Sequence, residues 1–198
     1  QPNWIVSPWP PEFAEMLDWQ WRERVVPYWA DAAEAARRAG VKVAIEMHPN
    51  FVVYNPETML RLREIAPDVI GCNFDPSHLF WQGADPVAAI HALGDAIYHV
   101  HAKDCRLHRH NIAVNGVLDA KKYTREAERS WIFRTVGYGN DALVWKDIIS
   151  ALRMVGYDHV ISIEHEDSLM SPAEGLRKAI AFLKGVVIAE PPGVAYWA

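Results

Sequence analysis

Cysteine is scarce in this 198-residue chain: Cys72 and Cys105 are the only two, too few for a disulfide framework or a cysteine-rich zinc module. Each sits in or beside an apolar, strand-like run, so both are expected as buried free thiols in a reducing, cytoplasmic compartment. Positive charge is also short. The 20 Lys+Arg against 25 Asp+Glu give a net −5 with histidine neutral, and no basic surface is available to compensate many phosphates, so no nucleic-acid partner is expected. Long apolar runs are absent too: none approaches the ~20 residues that cross a bilayer, and the Trp-rich, acidic start lacks a basic n-region, so neither membrane contact nor an export signal is expected. Nor is there a nucleotide loop, because the VGYG around Gly137 and Gly139 has neither the Walker lysine nor GxGxxG spacing. What is present is core material, with 51% hydrophobic and 23% charged residues, which excludes disorder and collagen-like repetition.

The chain reads as a single domain over 1–198, in three stretches. Residues 1–40 form a Pro- and Trp-rich loop followed by a helical pattern from Phe13 to Gly40, with Gly40 as the stop and Pro27 as a break or kink. Residues 41–185 repeat one unit four times: VKVAIE then ETMLRLREIA, DVIGCNFD then PVAAIHALG, AIYHVHAKD then WKDIISALRMVG, and HVISIEHED then PAEGLRKAIAFLKG. Alternating strands and helices with no hairpin dipeptide between them imply right-handed βαβ units and a parallel sheet. Arg106–Val144 interrupts the rhythm with charges, aromatics and glycines, as a functional loop does. Residues 186–198 are apolar but Pro-broken and read as an extended tail packed along a surface.

Each strand ends in a metal-competent side chain: Glu46, Asp75, His101 and Glu164. Side chains alternate along a strand, so Ala44, Asn73, His99 and Ser162, two positions earlier, share the same face. All four are small or polar, whereas the intervening Ile45, Phe74, Val100 and Ile163 are large and apolar, as the helix-covered face requires. Three carboxylates and an imidazole at the carboxyl ends of parallel strands would repel strongly without a cation. One divalent metal ion resolves this. An oxygen-rich, sulfur-free donor set favours Mn²⁺ or Mg²⁺, with Co²⁺ or Zn²⁺ as alternatives.

IEMHP, NFDPSHLFWQGADP, HVHAKD, VGYG followed by a Trp, and SIEHED resemble the second half of sugar phosphate isomerase/epimerase proteins. This is the xylose-isomerase-like TIM-barrel family of the AP endonuclease family 2 superfamily, to which tagatose and psicose 3-epimerases, hydroxypyruvate isomerase and inosose dehydratase belong. The resemblance runs from about Phe13 to Gly185. It implies an α/β fold, a (β/α)8 TIM barrel, of which this chain supplies roughly the second half, strands five to eight. It also implies that Glu46, Asp75, His101 and Glu164 are the metal ligands, that Glu46 and Glu164 double as the acid/base pair, and that His78 contacts a substrate oxygen. Further substrate-binding candidates are Lys103, two residues past His101 with Asp104 or Glu166 as rival salt-bridge partners, His48, two past Glu46, and Arg134 in IFRTVGYG.

The activity so implied is a divalent-metal-dependent sugar, sugar phosphate or keto-sugar isomerase or epimerase. It acts through a metal-stabilised enediolate, with two glutamates moving the proton. The alternatives are a metal-dependent dehydratase or lyase of a keto-sugar or inosose, which starts from the same enolate, and a non-catalytic sugar-binding barrel. An abasic-site endonuclease of this fold would need more histidines and a basic groove. A closed barrel needs eight strands and typically ~250 residues. The chain is therefore expected to be a fragment whose partner is the N-terminal half of the same barrel, as a separate chain or missing piece, with a self-paired homo-oligomer as runner-up and a small-molecule sugar as substrate.

Overall fold

The computed structural model describes residues 7–195 and 197; the Pro- and Trp-rich opening as far as Val6 lies outside the described residues. The first helical stretch runs unbroken from Pro11 to Ala39 as α1 (Pro11–Gln20), a wider π-helical turn over Trp21–Val25, and α2 (Val26–Ala39). Pro27 therefore does not interrupt the helical backbone, and the irregularity expected there is the π turn that divides the stretch into α1 and α2. The π turn widens the backbone just ahead of the proline, which then occupies a first-turn position where its missing N–H costs nothing. Gly40, left-handed at φ 67°, ends the helix as expected.

Four strands, β1 (Val43–Glu46), β2 (Ile70–Phe74), β3 (Ile97–Ala102) and, after two further strands described next, β6 (Ile161–Ile163), make one parallel sheet in the order β1-β2-β3-β6. The remaining two, β4 (Asp104–Leu107) and β5 (Trp131–Arg134), pair antiparallel. The helices between them are α3 (Pro56–Arg63), α4 (Pro76–Gln82), α5 (Pro86–Leu93), α6 (Arg109–Asn115), α7 (Ala142–Met154) and α8 (Pro172–Lys184). Two expectations need correction. The loop placed after DVIGCNFD is helix α4, whose seven residues are too few for a periodic pattern. The segment read as an irregular loop from Arg106 to Val144 contains most of an antiparallel ribbon, whose strands are separated by 23 residues in which α6 and a 3₁₀ turn intervene, so no hairpin signal is left in the sequence.

The pairing sets Ala44 beside Gly71, Glu46 beside Asn73, Asn73 beside His99, and His101 beside Ser162. One face of the sheet thus carries the small and polar residues. Phe74, Val100, Cys72 and Ala102 on the other face are buried in the main apolar core with Trp145, Ile148, Leu62 and Ile90 from the helices. The register slips by one residue between Cys72 and Asn73, because Tyr98 is inserted as a bulge in β3. Gly71 makes this fit, since a Cβ there would lie 2.4 Å from the Tyr98 ring. Cys72 and Cys105 are free and buried, and burial pushes both thiols up from their ordinary range.

The VGYG segment is explained by Asp104. Its carboxylate is fully buried and accepts N–H groups from Cys105, Gly137, Gly139, Asn140, the Asn140 amide and the Trp145 indole at 2.7–3.1 Å. A Cβ on Gly139 would stand 2.5 Å from this carboxylate, so only glycine allows the close approach. The motif anchors the end of the ribbon to α7. The tail is tied to the surface by a bond from Arg153 Nη2 to the Glu190 carbonyl at 2.7 Å.

Candidate metal centre

Glu46 ends β1, Asp75 follows β2 as the N-cap of α4, His101 lies in β3, and Glu164 follows β6. The shared face and the stagger of the sheet bring the four together: one donor atom from each lies within 4.8 Å of all the others. A single ion with ligands at ~2.2 Å places opposite donors up to ~4.4 Å apart, so the cluster has the size of a mononuclear site.

Individual contacts show what each group lacks. Asp75 is fully buried, and its Oδ1 is spent on the Ser77 backbone N–H at 2.8 Å. Its Oδ2 has no hydrogen bond; nearby nitrogens are His78 Nε2 at 3.6 Å, Lys103 Nζ at 3.9 Å and His101 Nδ1 at 4.0 Å. Burial pushes the Asp75 carboxyl up to about 7 against the opposing pull of Lys103. Glu164 Oε2 is 2.9 Å from His101 Nδ1 and its Oε1 accepts from Lys103 Nζ at 3.1 Å. These partners, His101 first, lower its carboxyl to about 2, and Glu164 in turn raises the His101 imidazole. Burial is the largest influence on Glu46 and works to raise it, but the hydrogen bond from His78 Nε2 at 3.1 Å together with the electrostatic pull of His78 and His101 turns the net direction down. The His78 imidazole itself is lowered by burial. Lys103 also meets Glu166 at 2.7 Å and lies over the Phe133 ring. Glu164 and Glu166 thus share one ammonium, with Asp75 3.9 Å from it and Glu46 held by His78 alone, an excess of carboxylate that suits a cation. The orphaned Asp75 oxygen and the oxygen-and-nitrogen donor set fit such an ion.

Of the other sequence candidates, His78 and Lys103 touch the cluster directly, and Lys103 takes Glu166 as partner while Asp104 is occupied by the VGYG clasp. His48 stands one step back: its ring is 4.2 Å from His78 and its Nδ1 meets the Pro49 carbonyl. Arg134 has a carboxylate partner of its own. Its Nε donates to the buried Asp167 carboxylate at 3.0 Å, which also caps the Thr135 N–H, so its role in the structure is to tie β5 to the segment after Glu164. Asn73 was legible only as a small inward residue, yet its Nδ2 lies 3.1 Å from His101 Nε2.

Beside the cluster is a cavity of about 540 Å³. His48 and His78 form one wall; Trp81 from α4 and Trp131 and Phe133 from β5 form the floor, the two indoles stacked 4.5 Å apart. Leu118, Tyr123 and Arg129 close it from the excursion between β4 and β5.

Residues 4–186 match the family model described as xylose isomerase-like TIM barrel. The uncharacterized protein YfiH of Bacillus subtilis (strain 168) is 44% identical over 189 residues, which cover 94% of this chain and 60% of YfiH. An inosose dehydratase of Geobacillus kaustophilus is 33% identical over 92 residues, 46% of this chain and 30% of that protein. Among solved structures, the 3-keto-D-glucoside 4-epimerase YcjR of E. coli superposes with a TM-score of 0.62 at 18% identity over 85% of this chain and 55% of its own. The IolI protein with a bound zinc atom gives 0.61 at 22% identity over 83% of this chain and 55% of its own. The chain spans three-fifths or less of the length of each of these relatives.

Proposed function

Since the chain belongs to the xylose isomerase-like TIM barrel family, we propose that it carries the metal-binding and proton-transfer half of a barrel that isomerises or epimerises a keto-sugar. In this reading its four parallel strands are strands five to eight. Support comes from the sheet order, from β1 and β6 as edges with no further partner strand among the described residues, and from the share of each relative that is covered. The polar face with its exposed Ala44 would then be the barrel interior, closed by the other half.

The observation that carries the activity is the convergence of Glu46, Asp75, His101 and Glu164 with Lys103 and His78 at the strand ends. These four would hold a divalent ion, which supplies positive charge beside a substrate carbonyl and so acidifies the neighbouring C–H. Glu46 and Glu164 come from the first and last strands of the sheet and reach the cluster from its two sides. Both are ionised at neutral pH, so either can take the proton from that carbon; the same carboxyl can return it to the adjacent carbon, or the other, after taking a proton from solvent, can deliver one to the opposite face. His78 fixes the Glu46 carboxylate by its Nε2–H, and Lys103 fixes Glu164 while offering an ammonium to a developing oxyanion.

Dehydration is the second reading, favoured by the identity to inosose dehydratases. The same base removes the proton and, now protonated, passes it to the β-hydroxyl, which leaves as water. Proton NMR in D₂O, with the Mn²⁺-loaded protein and a panel of keto-sugars and inososes, tests both. Deuterium entering at carbon without loss of water selects isomerase or epimerase, loss of water selects dehydratase, and no exchange with any member of the panel overturns the proton-transfer reading.

A further inference from the structure

Arg129 is the charge that the centre does not explain. It is 4% exposed, yet among the described residues no carboxylate pairs with it. Its Nε donates to the Trp131 carbonyl at 3.2 Å and its Nη1 to the Lys121 carbonyl, and the guanidinium lies against the rings of Tyr123 at 4.3 Å and Trp131 at 4.9 Å. Five N–H groups are available on a guanidinium and two are used, so three remain on a residue that lines the 540 Å³ cavity. A buried cation without an anion is costly unless an anion arrives. The acid of the cavity wall, Asp119, does not supply it: its carboxylate is satisfied by the Ser130 and Lys121 backbone N–H groups and by Lys121 Nζ at 2.6–3.1 Å.

We infer that this cavity recognises a carboxylate-bearing sugar, with Arg129 gripping the carboxylate and the Trp81–Trp131–Phe133 floor taking a face of the sugar. The inference rests on the keto-sugar reading above and adds the substrate class. Charge bookkeeping chooses carboxylate over phosphate. Asp119 and Lys121 cancel, so the cavity holds one uncompensated positive charge, matching a monoanion; a phosphate dianion would leave one charge buried and unpaired. The guanidinium fork also suits a planar carboxylate. The cavity's size and aromatic floor suit a pyranose ring, and His78 joins the cavity to the metal cluster, so a substrate anchored at Arg129 can present its far carbons to Glu46.

The test is binding, which needs no turnover. Quenching of tryptophan fluorescence is titrated with D-glucuronate, D-glucose and D-glucose 6-phosphate on the whole chain. Glucuronate should bind ~10-fold or more tightly than glucose, and tighter than the phosphate. Arg129→Gln should erase that preference. Because Arg129 also holds two backbone carbonyls, Arg129→Lys serves as the second variant, keeping the charge and part of the preference. Equal affinity for glucuronate and glucose in the unaltered protein, or tighter binding of the phosphate, overturns the inference without reference to any variant. Exchange in D₂O with no carboxylate preference would sink this inference alone; carboxylate preference with no exchange would sink only the proton-transfer reading.

Discussion

Asn73 faces His101 across adjacent strands with its amide nitrogen 3.1 Å from His101 Nε2, while its own Oδ1 is buried without a partner. A half-turn of the amide exchanges the two atoms. Oδ1 then accepts from Nε2–H, which leaves the Nδ1 lone pair directed at Asp75 and Glu164, the tautomer a metal ligand needs. Asn73→Ala should therefore weaken Mn²⁺ or Zn²⁺ binding by about 10-fold, measured by calorimetry, with little change in melting temperature for the metal-free protein. Unchanged metal affinity would remove Asn73 from this positioning role.

Asp104 closes the ribbon onto α7 by gathering six N–H groups around one buried carboxylate. Asp104→Ala strands several of these donors away from water. At the usual 1.5–3 kcal/mol for a hydrogen bond to a charged group, a loss of at least ~3 kcal/mol is expected. Urea unfolding should show it as a lower midpoint with the slope unchanged. A variant as stable as the parent would mean that water replaces the carboxylate.

Periodicity in the sequence exposed the strand ends and the polar face because both depend on local alternation, which the burial of Phe74 and Val100 against the inward Asn73 and His99 reflects. Alternation also placed Glu46, Asp75, His101 and Glu164 on one side, and the pairing brings them together. It could not show the bulge at Tyr98, which is fixed by what Gly71 lets in, or the pairing of Cys105 with Phe133 across the intervening excursion. The choice between arginines was equally hidden. Arg134 sits in a conspicuous motif and is absorbed by Asp167, whereas Arg129 sits among charges and turns into the cavity. Which partner a long side chain meets is decided by chain crossings, and a single sequence carries little signal for those.

Glu164→Gln keeps the shape of the side chain and removes its basicity. Its carboxylate is held by His101 and Lys103, so the amide loses charge complementarity with both and weakens metal binding as well. Deuterium exchange into a substrate that the parent turns over should fall by about 10²–10⁴-fold while glucuronate binding at the aromatic cavity is retained. Exchange at the parent rate would take Glu164 out of the proton-transfer pair.

Metal loading should stabilise the protein more at neutral pH than in mild acid. The native metal-free state holds the Asp75 proton up to about 7, whereas an unfolded aspartate releases it near ~3.9. Between these values the native state binds the extra proton, so the Asp75 contribution to stability declines as pH rises through this window. An ion that takes the Oδ2 position removes that penalty and must displace the proton below about 7, so its affinity rises over the same range. Melting curves with excess Mn²⁺ and with chelator, at about pH 5.5 and about pH 7.5, should show the larger metal-dependent shift at the higher pH; at ~100-fold excess over the dissociation constant the gain is ~2.7 kcal/mol. Shifts of equal size at both pH values would mean that the ion does not compete for the Asp75 proton.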